Sequence, residues 1–351
     1  MRLFSIRQRI GLLALILCIL LFFSITLGVS MGSVHIPFGR VWGIIMHRIF
    51  PQWRTFARDW PKNEVGIVWH LRLPRVLLGA LVGSGLAMAG ATIQSLVRNS
   101  LADPYVLGIS SGACAGAVTA ILFAGKWAAM DFWAMPMVSS FAFFGALTAF
   151  ALVFLIAGRG SGLMPWRMVL SGLAVNYIFA GLTNFLVYLN QRSGAETAMF
   201  WMLGGLGGAR WERLPIPFFI VAFCLVLLVI QSRSLNALLL GDESAVALGV
   251  DVQKFRRFLF VITSVLTGGL VAVSGSIGFV GLMVPHMVRM MVGADHRRVL
   301  PLSAFLGAIF LIWADVFSRT VMAPRELPLG IVTGLVGAPF FIGMLRRGGR
   351  Q

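Results

Sequence analysis

About ten apolar segments divide this chain of 351 residues, and most are long enough to cross the hydrocarbon core of a bilayer as helices. One soluble core could not hide so apolar a composition, because 58% of the residues are hydrophobic and only 12% are charged. The sequence therefore predicts an all-α integral membrane protein with about ten transmembrane helices in a single domain, 1–351. The predicted spans are 10–30, 75–97, 104–125, 135–157, 166–189, 214–231, 257–274, 277–292, 299–318 and 327–345.

The basic residues suggest an orientation for these spans. An even number of spans puts both termini on one side, and with the termini inside, sixteen of the 29 Lys and Arg residues are inner and thirteen are outer. Seven of the outer ones fall within 31–75, and the rest of the chain divides sixteen to six, as the positive-inside rule predicts. We therefore expect cytoplasmic termini and a long, positively charged outer loop, 31–70, that leads to Arg72 and Arg75.

The net charge of +17 does not indicate nucleic acid as a partner. The basic residues flank apolar segments and do not form one soluble basic face with interleaved aromatic side chains. The five histidines lack metal-ligand spacing, and the three cysteines lie inside apolar runs, so no metal site is predicted. The chain contains no P-loop motif either, and any ATP-driven work would need another subunit.

Small residues recur at helical spacing in three of the predicted spans. In lipid, such stripes let helix backbones approach closely and so provide van der Waals contact. A faint similarity between 85–94 and 269–279 also suggests two related halves, as in many transporters. The stripes are Gly79, Gly83, Ala87 and Ala91; Gly108, Gly112, Gly116 and Ala120; and Gly330, Gly334 and Ala338.

The inner segment 233–257 differs from the other connections. Asp242 and Glu243 fit the first turn of a short helix, where the helix dipole favours acidic side chains. The helix would have an apolar face that includes Leu240 and Leu248. Two interpretations remain open: an amphipathic helix at the membrane interface, or a protrusion that fits a groove on a cytoplasmic partner.

The sequence GISSG, 108–112, matches the nucleophile motif G-x-S-x-G of serine hydrolases. That motif requires a strand-to-helix turn and a histidine partner, whereas these residues open an apolar helix. We therefore expect no catalytic role. An intramembrane enzyme would depend on Ser110 and Ser111 alone.

Several stretches resemble the permease subunits of ATP-driven importers for vitamin B12, ferric siderophores and haem, of the BtuC or FecCD type. They follow the family's order over most of the chain. The matching stretches are LRLPR (71–75), RNSLADPYVLGISSGA (98–113), MFWMLGGLGGARW (199–211), LLLGDESAVALGV (238–250), GSIGFVGLMVPHMVR (275–289), DHRRVLP (295–301) and ELPLGIVTGLVGAPFF (326–341).

The resemblance implies a type II ABC importer permease fold, a homodimer of ten-helix subunits, and a path at the dimer interface. It also implies two ATPase subunits, which use ATP and Mg²⁺, and a periplasmic binding protein outside; the chain itself would bind no cofactor. In this family two arginines of L-R-L-P-R and a third near the ninth span meet acidic side chains of the binding protein. Here these are Arg72, Arg75 and Arg319, and Asp315 stands one helical turn before Arg319.

The resemblance also assigns the inner side of the chain. It makes the segment around GDESAVALGV the coupling helices on the ATPase, and it places an inner gate at Asn99 and Leu101, where Ser100 replaces the family's usual proline. A second gate position maps to Pro165 and Trp166, where a tryptophan would be a bulky plug. The residues implied in coupling are Leu240, Gly241, Asp242, Glu243, Ala245, Leu248 and Gly249.

These observations predict an inner-membrane permease subunit that moves a chelated metal inward and performs no covalent chemistry. An iron chelate, either a ferric siderophore or haem, is favoured over cobalamin because most of the family handles iron. The alternatives are the same machinery for vitamin B12 and an ATP-independent secondary transporter or channel. The second is disfavoured because the spans contain few ionisable residues that could relay ions.

Overall fold

The computed structural model describes residues 6–32, 34–52, 60–124, 131–158, 163–190 and 194–348, and these residues contain helices but no strands. A π-helical turn, 66–72, joins the third helix to the fourth. The helices are α1 (Ile6–Ser30), α2 (Phe38–Ile49), α3 (Lys62–Val65), α4 (Leu73–Leu96), α5 (Ile109–Ala124), α6 (Asp131–Ala157), α7 (Pro165–Leu189), α8 (Ala195–Met202), α9 (Pro215–Ile230), α10 (Ser232–Leu239), α11 (Asp242–Ala247), α12 (Val252–Ser274), α13 (Val280–Val292), α14 (His296–Thr320) and α15 (Leu329–Gly348).

Each of the ten predicted spans corresponds to an apolar helix, so the all-α expectation is confirmed. Within the described ranges, seven helical segments have the length and composition needed to cross a membrane. Three shorter apolar helices, α5, α13 and α15, account for the remaining spans. The shortest is α13, and it begins three residues later than predicted.

The short helices α5 and α13 have a structural cause. The 13 residues of α13 extend roughly 20 Å, less than the hydrocarbon thickness of about 30 Å. A 3-10 turn, 104–107, precedes α5, and an irregular segment precedes α13; the two meet inside the bundle, where the Tyr105 hydroxyl accepts a hydrogen bond from the Ile277 N–H. The hydroxyl oxygens of Ser110 and Ser276 lie 3.2 Å apart there. Protein surrounds the backbone that is not α-helical, so this backbone is not exposed to lipid, which would destabilise it.

Two of the three glycine stripes form close helix contacts. A Cβ atom at Gly83 would collide with the carbonyl of Gly307, which shows how closely α4 and α14 approach. Gly112 and Gly145 bring α5 and α6 together in the same way. The third stripe is divided, because a Cβ atom at Gly330 would collide with the carbonyl of Leu203, whereas one at Gly334 would meet open space. The first two stripes hold the bundle together, and Gly334 of the third has no close neighbour among the described residues.

The segment predicted as a long outer loop, 31–70, is partly helical. It contains α2, and the continuous helix that includes α4 already begins at Lys62. Val41 and Ile44 of α2 are buried with Val29 and Val76 in a small apolar core. Their spacing gives α2 one apolar face, which explains why the segment folds back onto the bundle. Residue 33 and residues 53–59 of the loop lie outside the described part of the chain.

The bundle has two ends that carry polar side chains. We call the one formed by the end of α1, the start of α4 and the end of α14 the Arg75 end. We call the opposite one, formed by the end of α4, by α10 and α11, and by the starts of α12 and α14, the Asp242 end. The residues implied in docking lie at the Arg75 end, and those implied in coupling lie at the Asp242 end.

Candidate functional site

At the Arg75 end, one arginine is held between two carboxylates. Arg75 Nη2 lies 2.9 Å from Asp315 Oδ1, and Arg75 Nη1 lies 2.9 Å from Glu326 Oε1. The side chain of Asp315 is 2% exposed, whereas that of Glu326 is 51% exposed. Arg319 Nε also approaches Asp315 Oδ2, at 3.3 Å, across one helical turn. Asp315 and Arg319, one helical turn apart in the sequence, therefore form a buried pair, and Arg75 shares the same carboxylate.

Arg72 and Arg319 stabilise the end of α1. Arg72 Nη1 donates to the carbonyl oxygens of Val29 and Ser30 at 3.1 and 2.9 Å, and Arg319 donates to the carbonyl of Gly28. The last carbonyls of a helix lack internal partners and carry partial negative charge, so guanidinium groups satisfy them well. Both arginines are buried, which differs from the exposed rim position that the resemblance implies. The physical reason is that α1 ends beside them and its last carbonyls accept their hydrogen bonds.

Exposed positive charge at this end comes from neighbouring residues. Arg48, Lys62 and His70 line a cavity of about 690 Å³ beside α2, together with Trp60. Arg48 and Lys62 are exposed. Arg40 also belongs to this region but pairs with Glu64 at 2.8 Å. The outward-facing charge of the Arg75 end is therefore positive.

At the Asp242 end, the segment 233–257 folds into two short helices with an exposed apolar tip. Gly241 separates α10 from α11 at a φ of +113°, and Gly249 ends α11 at +82°, conformations that favour glycine. Ala245 is fully buried against the bundle, and Glu243 points outward. Leu240 and Leu248 are 69% and 64% exposed, and Val246 is similarly exposed. The tip therefore presents apolar side chains that none of the described residues covers.

The first predicted gate segment follows the end of α4. Asn99 Oδ1 accepts a hydrogen bond from the Leu101 N–H at 2.9 Å, which makes a local turn. Asn99 and Ser100 are exposed, and Leu101 is half-buried. The turn keeps this segment compact although Ser100 lacks the ring of the usual proline.

The second predicted gate segment opens α7. Pro165 is the first residue of the helix, a position that suits its fixed φ. Trp166 follows and is 57% exposed, with the guanidinium carbon of Arg167 5.3 Å from the ring centroid. The structure therefore places a large aromatic side chain on the surface at the Asp242 end.

The sequence did not predict a hydrogen-bonded network that the structure shows at the Asp242 end. Asn236 Oδ1 accepts from the N–H of His296 at 2.9 Å and from its Nδ1 at 2.8 Å, and Ser95 Oγ lies 2.6 Å from His296 Nε2. The network joins α4, α10 and α14. Asp295 is the N-cap of α14. Its burial raises the pKa of the carboxyl, but the hydrogen bonds from Asn236 and from the Arg297 N–H have the larger combined effect, so the pKa is lowered. Only the N-cap, an Asp just before an apolar helix, was a recognisable signal.

A second cavity of about 500 Å³ lies beside α5 and α7. Its lining is uncharged and mixes apolar with polar side chains, which include Asn176 and Asn184 of α7 and both serines of GISSG. Ser110 contacts Ser276, and Ser111 donates to the Gly108 carbonyl at 2.8 Å. These hydroxyls have structural partners, and the cavity offers hydrogen bonds without a charged group that would hold a ligand tightly.

Comparison with known proteins identifies the family. The FecCD transport family matches residues 17–347. The cobalamin import system permease protein BtuC of Halobacterium salinarum is 42% identical over 286 residues, which cover 82% of this chain and 75% of that protein. The hemin transport system permease protein HmuU of Yersinia pestis is 38% identical over 302 residues, with 84% and 88% covered. A solved metal-chelate type ABC transporter in an inward-facing conformation covers 95% of this chain and 98% of that one, with a TM-score of 0.81 and 27% identity. The chain belongs to the FecCD transport family and is a permease of the ABC importer type.

Proposed function

We propose that this permease carries an iron chelate, a ferric siderophore or haem, from the periplasm to the cytoplasm by alternating access. The main observation behind this proposal is the exposed apolar tip of Leu240, Val246 and Leu248. Its position beside both gate segments suits a subunit that receives mechanical work from a partner. These three apolar side chains lie on two short helices whose positions are fixed by buried contacts. Such a rigid, small apolar surface favours binding to a complementary protein groove over binding to a membrane surface.

The partner at the Asp242 end would be one of two ATP-binding subunits. They would hydrolyse ATP with Mg²⁺, and this chain would bind no cofactor itself. The coupling residues proposed from the resemblance, from Leu240 to Gly249, include both the exposed tip and the buried anchor Ala245. The tip would enter a groove of the ATPase, and Ala245 would transmit its movement to the bundle.

A second copy of the chain would complete the path. The amides of Asn176 and Asn184 lie on a largely apolar helix, and polar groups facing lipid are unfavourable. Gly181, between them, has open space beside it, as does Gly334 on α15. In a homodimer that places α7 beside the translocation path, the amides of Asn176 and Asn184 would have water and protein as neighbours. The inner end of the path would be closed by Asn99, Leu101, Pro165 and Trp166.

The Arg75 end would face the periplasm and receive the binding protein. Arg72, Arg75 and Arg319 are proposed as its docking residues. The burial of Arg72 and Arg319 favours a role in shaping the docking surface, whereas Arg48 and Lys62 would supply exposed charge for an acidic partner. This orientation puts both termini in the cytoplasm and the protein in the bacterial inner membrane. It agrees with the excess of basic residues on the inner side outside 31–75.

The relatives' names indicate two substrate classes. Cobalamin and haemin permeases are similarly identical to this chain, so sequence similarity does not separate these cargoes. The uncharged cavity beside α7 suits a bulky chelate that is held weakly, with selectivity residing in the binding protein. Vitamin B12 is the alternative cargo.

The decisive experiment is to purify the chain in detergent from its native membrane. We expect an ATP-binding subunit in equal amount and vanadate-sensitive ATP hydrolysis. The associated binding protein should then bind haemin or a ferric siderophore such as ferrichrome, and not cyanocobalamin. Cyanocobalamin binding would select the alternative cargo, and uptake by the chain alone in ATP-free proteoliposomes would establish a secondary transporter.

A further inference from the structure

The carboxylate of Asp242 joins two arginines, each of which is linked to a different gate segment. Asp242 Oδ1 pairs with Arg98, and it also lies 2.8 Å from Arg256 Nη2. Arg98 immediately precedes Asn99, whereas Arg256 belongs to α12. Asp242 itself is the first residue of α11, the helix that carries the exposed tip. One side chain therefore connects the tip to two other parts of the Asp242 end.

Arg98 holds the first gate segment in an unusual backbone conformation. Its φ is +50°, in the left-handed region where glycine is usual at the end of a helix. The Asn99 N–H donates to the Gln94 carbonyl at 3.0 Å, and the Arg98 N–H donates to the Ser95 carbonyl at 3.3 Å. This arrangement ends α4 and orients the turn that contains Asn99. A residue with a side chain is disfavoured here, but only a side chain can provide the ion pair with Asp242.

Arg256 holds the second gate segment. Its side chain is 1% exposed, and Nη1 donates to the Leu163 carbonyl at 3.0 Å. The Leu163 N–H donates in turn to Gln253 Oε1 at 2.9 Å. Both backbone groups of Leu163 are thus bound to α12, and Pro165 follows two residues later. The start of α7 is fixed to the same helix that carries the partner of Asp242.

We propose that Asp242 is a positioning residue that links the coupling helix to both gate segments, through Arg98 and through Arg256. Movement of α11 would then be transmitted to 99–101 and to 163–166 together. Gly241 and Gly249 flank α11, and both adopt conformations that favour glycine, so the helix can turn as a unit between them. This inference rests on the proposed function, because it assumes that a partner moves the tip.

The test measures gate movement without requiring the cargo. Spin labels are placed at Ser100→Cys in one preparation and at Trp166→Cys in another, in chains whose three native cysteines are replaced. The distance between the two labels of the homodimer is measured by pulsed electron paramagnetic resonance, before and after addition of ATP, Mg²⁺ and vanadate. Co-purification of the ATPase and its hydrolysis rate are recorded for every variant.

We expect Asp242→Asn to reduce the nucleotide-dependent distance change about threefold at both positions, compared with wild type in complexes that contain the same amount of ATPase. Arg98→Gln should reduce the change at Ser100 and leave that at Trp166 intact. Asp242→Asn removes the carboxylate that pairs with buried Arg256 and could prevent folding. In that case Arg98→Gln still tests the link. Asp251→Asn is the matched control, because this exposed carboxylate caps α12 in the same segment and asparagine caps a helix equally well.

The outcomes separate this inference from the proposed function. A wild-type complex that lacks the ATPase, or whose labels do not respond to nucleotide, would overturn both. A wild-type response that persists unchanged in Asp242→Asn and in Arg98→Gln would overturn the link alone. Equal loss at both labels in Arg98→Gln would also contradict it, since Arg98 contacts only the first gate segment.

Discussion

Arg75 and Asp315 are 240 residues apart in the sequence, yet Arg75 Nε donates to Asp315 Oδ1 at 2.9 Å. This pair joins the start of α4 to the end of α14, and Asp315 also balances the charge of Arg319. Two guanidinium groups therefore depend on one buried carboxylate. The arrangement makes Asp315 the residue whose charge matters most at the Arg75 end.

We expect Asp315→Asn to destabilise the protein strongly, by about 3 to 5 kcal/mol, because it leaves buried Arg319 without a counter-charge and removes one of the two carboxylates that pair with Arg75. Thermal unfolding in detergent measures the effect. Glu326→Gln is the matched control, since this carboxylate pairs with the same arginine at 2.9 Å but is half-exposed. An exposed pair contributes less than about 1 kcal/mol, so equal losses in the two variants would contradict this account.

Helix packing gives a second prediction. Gly83→Ala should lower the midpoint of thermal unfolding, because the new methyl group collides with the backbone of Gly307 and forces α4 away from α14. Gly11→Ala is the control, because Gly11 lies in α1 with open space around it. The control should be neutral or slightly stabilising, since alanine favours a helix more than glycine does. A neutral Gly83→Ala would contradict the close contact.

The third prediction concerns docking of the binding protein. Reversing the exposed charges in Arg48→Glu together with Lys62→Glu should slow association of an acidic binding protein several-fold at low salt. The difference should shrink in 0.5 M salt, because exposed charges govern mainly the rate of encounter and are screened. Surface plasmon resonance with immobilised permease measures both rates. An unchanged association rate at low salt would refute the proposed electrostatic docking.

The exposed tip provides a fourth prediction. Leu248→Asn should reduce co-purification of the ATPase about tenfold, because it removes a large apolar contact from the centre of the proposed interface. Ala247→Ser changes a neighbouring exposed residue of α11 and should leave the complex intact. The stoichiometry of the purified complex reports the outcome. A stable 1:1 complex with Leu248→Asn would show that this tip is not the contact.

Asp103 gives a prediction about pH. Burial raises the pKa of this carboxyl to about 6, although the Tyr105 N–H donates to it at 2.9 Å. The unfolded chain loses the proton near pH 4, so the contribution of Asp103 to stability falls as the pH rises from about 4 to about 6. Asp103→Asn keeps the acceptor oxygen and removes the charge. We expect the variant to be the more stable protein above pH 6 and the difference to shrink towards pH 4, measured by thermal unfolding; a deficit at every pH would contradict this.

The sequence alone was sufficient for the spans and for much of their packing. The thickness of the hydrocarbon core fixes how long an apolar segment must be, so ten spans could be found by length and composition. Spacing by four residues also predicted the contacts at Gly83 and Gly112, because helical periodicity is a local property. The family resemblance then indicated which stretches to examine, including the segment around Asp242.

The tertiary structure decided which side chains meet. Ser95 and His296 are 201 residues apart, and no local rule relates them or pairs Asp242 with Arg98. The sequence also did not predict which arginines are buried, because an arginine at the mouth of a span can either face a partner protein or donate hydrogen bonds to the end of another helix. Arg72 does the latter for α1, and this followed only from the folded position of Ser30. Local periodicity thus determined the helices, whereas the long-range arrangement of the chain determined which charges are buried, paired and linked to the gates.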